Sequence, residues 1–332
     1  MNYIVKKVFK KLKNIYQKYS VEEVFYRLSD KNMKRLQNKR LFAKGYEFIN
    51  RSSSSENLLL IIAGFQEYYW DAVFERVRRN QNMFTEKIDI CICVPGEDGE
   101  ILKQIAEKYG WSYLKIKKDL LAQAQNTAIK LHENAKWIYK IDEDILISDN
   151  YFSKLKDAYV NIELKHNKEI GFIAPLINLN ACGVEKFLRT INKYDEFECQ
   201  FGRLIIGLNK PIHRDGEVAT WIWNSSIPFD EISRKIEKEN DTVYYECPIR
   251  FSVGAILLKR EFWEEMGGFL VKNIGCMGAE EEQMNAFCMN QMRSIIVVAN
   301  VFAGHLGFFH QKQNCHKFFN EHQKEIRINE NK

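Results

Sequence analysis

From Asn57 to Ile177, short apolar runs alternate with longer amphipathic ones, and this alternation restricts the fold more than any other feature of the chain. NLLLIIAGF reads as a strand, YYWDAVFERVRRN as a helix, and KIDICICVPG as a second strand leaving at a Pro-Gly turn. EDGEILKQIAEKYG reads as a helix closed by Gly110, WSYLKIKK as a third strand, and DLLAQAQNTAIKLHENA as a helix capped by Asp119. WIYKID and EIGFIAPLI supply two further strands. Strands joined by helices of about 10 to 15 residues need crossover connections, which are right-handed and place the strands side by side in a mostly parallel sheet. The pattern predicts an α/β fold with helices on both faces.

The strand Trp137–Ile141 ends in three consecutive acids, Asp142, Glu143 and Asp144. Like charges this close repel unless a cation or a positive partner holds them. They sit where the strand leaves the sheet, and ligands of open α/β sheets bind beyond the carboxyl ends of strands. The chain is then expected to resume as a helix with Ser148 or Asp149 at its N-cap.

The 332 residues are 45% hydrophobic, enough for a sizeable core, and no apolar run approaches the roughly 20 residues that span a bilayer. No secretory segment is read near Met1. The eight cysteines lack CxxC spacing, which points to reduced thiols and a cytoplasmic setting. Charge is segregated: residues 1–50 hold 13 Lys/Arg against 4 Asp/Glu, and the remainder holds 36 against 40. A basic groove for nucleic acid is therefore not expected in the body. Ile4, Val5, Val8, Phe9, Leu12, Ile15, Tyr16 and Tyr19 share an arc of about 140° on a helical wheel, opposite six lysines. Residues 1–20 could lie on an anionic membrane surface or pack on the body, and Arg51–Glu56 reads as a linker.

Regular alternation stops after Ile177. Residues 178–246 read as an insertion or lid, and the Trp221–Trp223 alternation as one face of a strand or an aromatic surface for a sugar. Order returns at IRFSVGAILLKREFWEEMGGF, where Gly254 suggests close approach of a ligand or backbone. Glu280, Glu281 and Glu282 open the next helix, where its dipole favours acids. RSIIVVANVFAG delivers His305, and residues 311–332 read as a polar tail.

In this order the residues resemble a glycosyltransferase of the GT-A fold, nearest to the family 2 type, over residues 57–177 and 249–310. Four elements carry the resemblance: the first strand with its AGF turn, AQNTAI, IDED in the place of an Asp-x-Asp signature, and WEEMGGF followed by GAEEEQM. His305-Leu-Gly resembles a histidine that some GT-A enzymes use as a metal ligand. The chain departs at Val94-Pro95-Gly96-Glu97-Asp98, where the family has an Asp-rich turn, at Gln125, where it has arginine, and at Glu281, where it favours Asp.

The resemblance implies transfer of a sugar from a nucleotide-diphosphate sugar, with uridine the favoured base, to a saccharide or lipid-linked acceptor. Residues 57–177 become the nucleotide-sugar half and 247–310 the acceptor and catalytic half. It implies donor contacts at Ala63, Gly64, Phe65, Glu97, Asp98, Asn126, Asp142, Glu143 and Asp144, and a Mn²⁺ or Mg²⁺ ion on Asp144, His305 and Asp142, the last directly or through water or ribose. Glu281 becomes the general base of an inverting reaction, with Glu280 and Glu282 as register alternatives. Trp221, Trp223 and Gly268 become acceptor contacts. With the basic N-terminus, this suggests surface polysaccharide or glycolipid synthesis at the inner face of the cell membrane. A sugar nucleotidyltransferase would open on a glycine-rich, lysine-bearing loop and a dinucleotide oxidoreductase on G-x-G-x-x-G, and neither is present. A catalytically inactive binding protein on the same fold stays open.

Overall fold

The computed structural model describes residues 41–96, 99–118, 120–239, 243–272, 278–307 and 309–328. The basic helix expected over residues 1–20, the cap at Asp119 and the acids Glu97 and Asp98 lie outside the described residues.

The first strand of the alternation, β2 (Asn57–Ile62), is buried at every position, as a strand covered on both faces must be. Beside it run β3 (Asp89–Pro95), β4 (Ser112–Ile116) and β5 (Trp137–Asp142), in the order β4-β3-β2-β5 and all parallel. Helices α1 (Glu67–Met83), α2 (Glu100–Tyr109) and α3 (Leu121–Leu131) make the crossovers. Gly110 ends α2 at φ +70°, a left-handed conformation that glycine adopts without a Cβ penalty.

The sheet starts earlier than expected. β1 (Tyr46–Ile49) pairs antiparallel with β4. Arg51–Glu56 is not a free linker, because the Asp89 carboxylate accepts from Ser53 N at 2.6 Å and Ser55 N at 2.9 Å. A carboxylate that gathers several backbone N–H groups fixes a loop as firmly as a turn does.

After the acids the chain does not enter a helix directly. Ile145–Ile147 forms a short strand, β6, and α4 (Tyr151–Lys165) follows from Asn150, which has φ +59°. Neither Ser148 nor Asp149 caps it; Asp149 is drawn away by Arg79 at 2.6 Å. Three apolar residues in a row are enough for one edge strand, and the pairing strand comes from far along the chain.

That partner is β10 (Ser294–His305), which also pairs parallel with β7 (Ile170–Ile177) and antiparallel with β8 (Tyr244–Glu246). Between β5 and β7 lies β9 (Ala255–Lys259), antiparallel to both, so β7 and β10 run with β5 again. The result is a ten-stranded mixed sheet, mostly parallel and flanked by helices, as the GT-A resemblance implies. A register shift between Val298 and Phe302 re-aims the end of β10 toward β6.

The region 178–246 is mainly helical: α5 (Val184–Thr190), α6 (Tyr194–Phe201), α7 (Pro211–Arg214), α8 (Gly216–Asn224) and α9 (Phe229–Glu239) precede β8. It packs on the sheet, with Phe187 and Phe229 rings 5.4 and 5.3 Å from Phe302. The Trp221–Trp223 strand is corrected to helix α8, because Asp215 Oδ1 accepts from Glu217 N and Val218 N and starts a turn. After β9 come α10 (Arg260–Glu265) and α11 (Ala279–Asn290).

The expected polar tail is also corrected. α12 (Lys312–Glu321) buries Cys315, Phe318 and Phe319, and α13 (Gln323–Ile326) buries Ile326. Spacing of three and four residues puts the first three on one helix face.

Candidate functional site

β6 and the re-aimed end of β10 bring Asp144 to His305. Leu306 N donates to the Asp144 carbonyl at 3.0 Å, His305 N donates to Asn178 Oδ1 at 2.9 Å, and His305 Nε2 stands 3.5 Å from Asp144 Oδ2. Gln66 Nε2 donates to the same Oδ2 at 2.9 Å. Burial opposes ionisation of Asp144, but His305 and Gln66 outweigh it and hold the carboxyl below its usual range. Burial likewise disfavours a charged His305, and the Asp144 carboxylate outweighs it, raising the imidazole.

Glu143, between the two aspartates, faces elsewhere. Its carboxylate accepts from Gly64 N at 2.8 Å, Phe65 N at 2.9 Å and Trp70 Nε1 at 2.6 Å, and it is 2% exposed. These bonds bind the turn after β2 to the corner after β5. Burial pushes its carboxyl up, against these donors. Ala63 is buried in the same turn, its N–H given to the Cys93 carbonyl at 3.2 Å, while the Phe65 ring is exposed.

Asp142 turns to a third partner. Lys140, two residues earlier on the same face of β5, is 3% exposed and donates to Asp142 Oδ1 at 2.7 Å and to the Val253 carbonyl at 2.8 Å. Burial raises the Asp142 carboxyl and Lys140 opposes it. A Cβ on Gly254 would lie 3.5 Å from Asp142 Oδ2 and 3.3 Å from Ile145, so the glycine admits the close approach of the corner.

Across Val253 lies the acidic end of α11. Val253 N donates to Glu281 Oε2 at 3.4 Å, and Arg250 pairs with Glu281 Oε1 at 2.7 Å. Burial raises the Glu281 carboxyl, with Arg250 opposing. Glu280 is buried and its charge reaches Asp142, whereas Glu282 is exposed toward Lys272.

Other expected positions have different surroundings. The Asn126 amide is fully engaged, accepting from Trp263 Nε1 and Phe269 N and donating to the Phe269 carbonyl, so it ties α3 to the Gly-Gly-Phe turn. Gly268 (φ +79°) closes that turn against Leu41 and Asn126. Trp223 is fully buried with Nε1 donating to the His305 carbonyl at 2.8 Å, leaving no open face for a sugar. Trp221 is half-buried against Phe197 and Phe201.

Lys140, Gln66 and Arg250 contact the acids of the site and were not singled out from sequence. A lysine inside an apolar strand, in step with Asp142, was the legible signal; Gln66 and Arg250 carried none. Tyr68, on the first turn of α1, donates to Gln66 Oε1 at 3.2 Å and stacks on His316 of α12 at 3.8 Å.

Among the described residues, no group of three His, Cys, Asp or Glu side chains forms a metal cage. Asp144 and His305 do converge as one carboxylate and one imidazole. That pair suits a divalent ion drawing its other ligands from phosphate oxygens or water, as Mg²⁺ and Mn²⁺ do.

No family model and no curated protein matches the chain. Among solved structures, it is similar to the crystal structure of GalNAc-T7 with UDP, GalNAc and Mn²⁺, with a TM-score of 0.45 and 12% sequence identity. The similarity covers 81% of this chain and 48% of that one, so the chain spans about half the length of its neighbour.

Proposed function

We propose that the chain is a metal-dependent transferase moving a sugar from a nucleotide-diphosphate sugar, with UDP-sugar the first candidate, to a saccharide or lipid-linked acceptor. The observation that carries this reading is the pairing of Asp144 with His305 at the sheet's carboxyl edge, with Asp142 beside it and joined to Glu281 through Lys140 and Val253. A divalent ion on Asp144 and His305 would supply Lewis-acid neutralisation of the departing diphosphate.

The protein's own groups would do the rest. Asp142, with Oδ1 held by Lys140, offers Oδ2 to a donor hydroxyl. Glu281 has a carboxyl raised by burial, which suits a group that takes a proton from an acceptor hydroxyl near neutral pH. Attack from its side, opposite the diphosphate, would invert the anomeric centre. The Phe65 ring, open beside the Glu143-bound turn, would face the donor.

The Arg250–Glu281 pair favours a second reading, a binding protein without turnover, because an ion-paired carboxylate is a poorer base. Residues 1–20 are proposed to hold the enzyme on the anionic inner face of the cell membrane for polysaccharide or glycolipid synthesis. The support is their lysine-opposed apolar stripe, and no described helix is long and apolar enough to cross a membrane.

Turnover of UDP-, GDP-, dTDP- and CMP-sugars with and without Mn²⁺ tests the reading. Release of nucleoside diphosphate from one donor, lost in EDTA, is the expected result. Metal-dependent binding without release would favour the second reading, and neither binding nor release would sink both.

A further inference from the structure

α12 approaches the cleft from a part of the chain outside the motifs, and its position is fixed on two sides. Gly307, two residues past His305, leaves so little room that a Cβ there would meet Cys315 Sγ at 2.7 Å, which seats the helix against the end of β10. From the other side, Asp144 is joined to Gln66 at 2.9 Å, Gln66 to Tyr68 at 3.2 Å, and the Tyr68 ring stacks on His316 at 3.8 Å with 21° between planes.

Lys312 lies four residues before His316, so both share one face of α12, with Lys312 toward the His305 end. It is half-buried. Lys140 and Arg250 are both committed to carboxylates. Lys312, by contrast, is in no ion pair among the described residues. A half-buried cation near a group of carboxylates and in no ion pair is suited to an incoming anion.

We infer that Lys312 binds the diphosphate of the donor, with the Tyr68–His316 stack as the positioning contact that holds α12 at the cleft. This rests on the reading of the cleft as a nucleotide-diphosphate site. Lys312 would neutralise part of the diphosphate charge at the Asp144 and His305 end of the site.

Calorimetric titration of the full chain in Mn²⁺ with UDP, GDP and CDP first identifies the base that binds. With that diphosphate, Lys312→Met should weaken affinity about tenfold, the size of one lost charge-assisted hydrogen bond, and Lys312→Arg should retain most of it. The matching nucleoside, titrated at millimolar concentration, should bind Lys312→Met and wild type alike. Unchanged diphosphate affinity in Lys312→Met overturns the inference and leaves the donor-site reading standing. An equal loss for nucleoside and diphosphate also overturns it, since the role would then be structural. A wild-type protein that binds none of the three diphosphates overturns the donor-site reading itself.

Discussion

Single residues around the end of β5 divide into those proposed to meet the donor and those that hold the corner. Asp144→Asn should leave the fold intact while Mn²⁺ affinity, read by calorimetry, falls at least about tenfold, because half of the protein's donor pair is weakened. Glu281→Gln should keep nucleotide binding and lose turnover by about 10² to 10⁴, the usual contribution of a general base; equal turnover, with the loss in Glu280→Gln instead, would move the base by one residue. Glu143→Ala should behave differently from both. It strands the Gly64, Phe65 and Trp70 donors and should cost about 3 kcal/mol or more in urea unfolding. His132 gives a pH signature. It is 5% exposed, its Nδ1 meets the Ala128 carbonyl at 2.8 Å, and burial pushes its imidazole below the ordinary value. Its neutral form therefore supports the fold fully above the unfolded value of about 6.5, and that support fades as pH falls through the folded value. Wild type should lose more unfolding free energy between pH 7.5 and 5.5 than His132→Gln does.

At the scale of elements, the sequence was legible where one period ran long enough. The strand and helix alternation from Asn57 to Ile177 produced β2, β3, β4 and β5 with their crossover helices, because those strands lie side by side in the sheet and each run is mainly apolar. It was not legible where pairing is distant or a period is short. Ile145–Ile147 is too brief to announce itself, and its partner lies at the other end of the chain. Trp-Ile-Trp fits a period of two, but Val218, Ala219, Ile222 and Trp223 are the buried face of a helix, a spacing visible only once Asp215 is seen as its cap. The C-terminal helices were hidden by their charge content. Arg76 shows how firmly they are held: it is 1% exposed, pairs with Asp230 at 2.7 Å and donates to the Ile326 carbonyl at 2.5 Å. Arg76→Ala should destabilise by about 3 to 5 kcal/mol and release α13, measurable as faster amide exchange over Gln323–Ile326.

For the molecule as a whole, the order β4-β3-β2-β5-β9-β7-β10 places the two halves of the proposed reaction on either side of β5. The acids at the end of β5, Glu281 and His305 are the positions the sequence pointed to; Gln66 and α12 reach them through tertiary placement, which no local pattern encodes. A ligand that bridges these halves should stabilise the fold by mass action. The binding nucleoside diphosphate with Mn²⁺ at about 100 times its dissociation constant should add about 2.7 kcal/mol, seen as a rise in Tm that Asp144→Asn lacks.

The acid triplet also carries an asymmetry in what it can tolerate. Its outer members answer one or two buried side chains each, Lys140 at Asp142 and His305 with Gln66 at Asp144, so an exchange there disturbs only those pairs. The central one could not be shortened even by a single methylene, because a carboxylate that no longer spans from Gly64 to Trp70 would let the β2 turn and the β5 corner drift apart. Any redesign of specificity here therefore meets two positions tied to one or two side chains each, separated by a keystone tied to three donors.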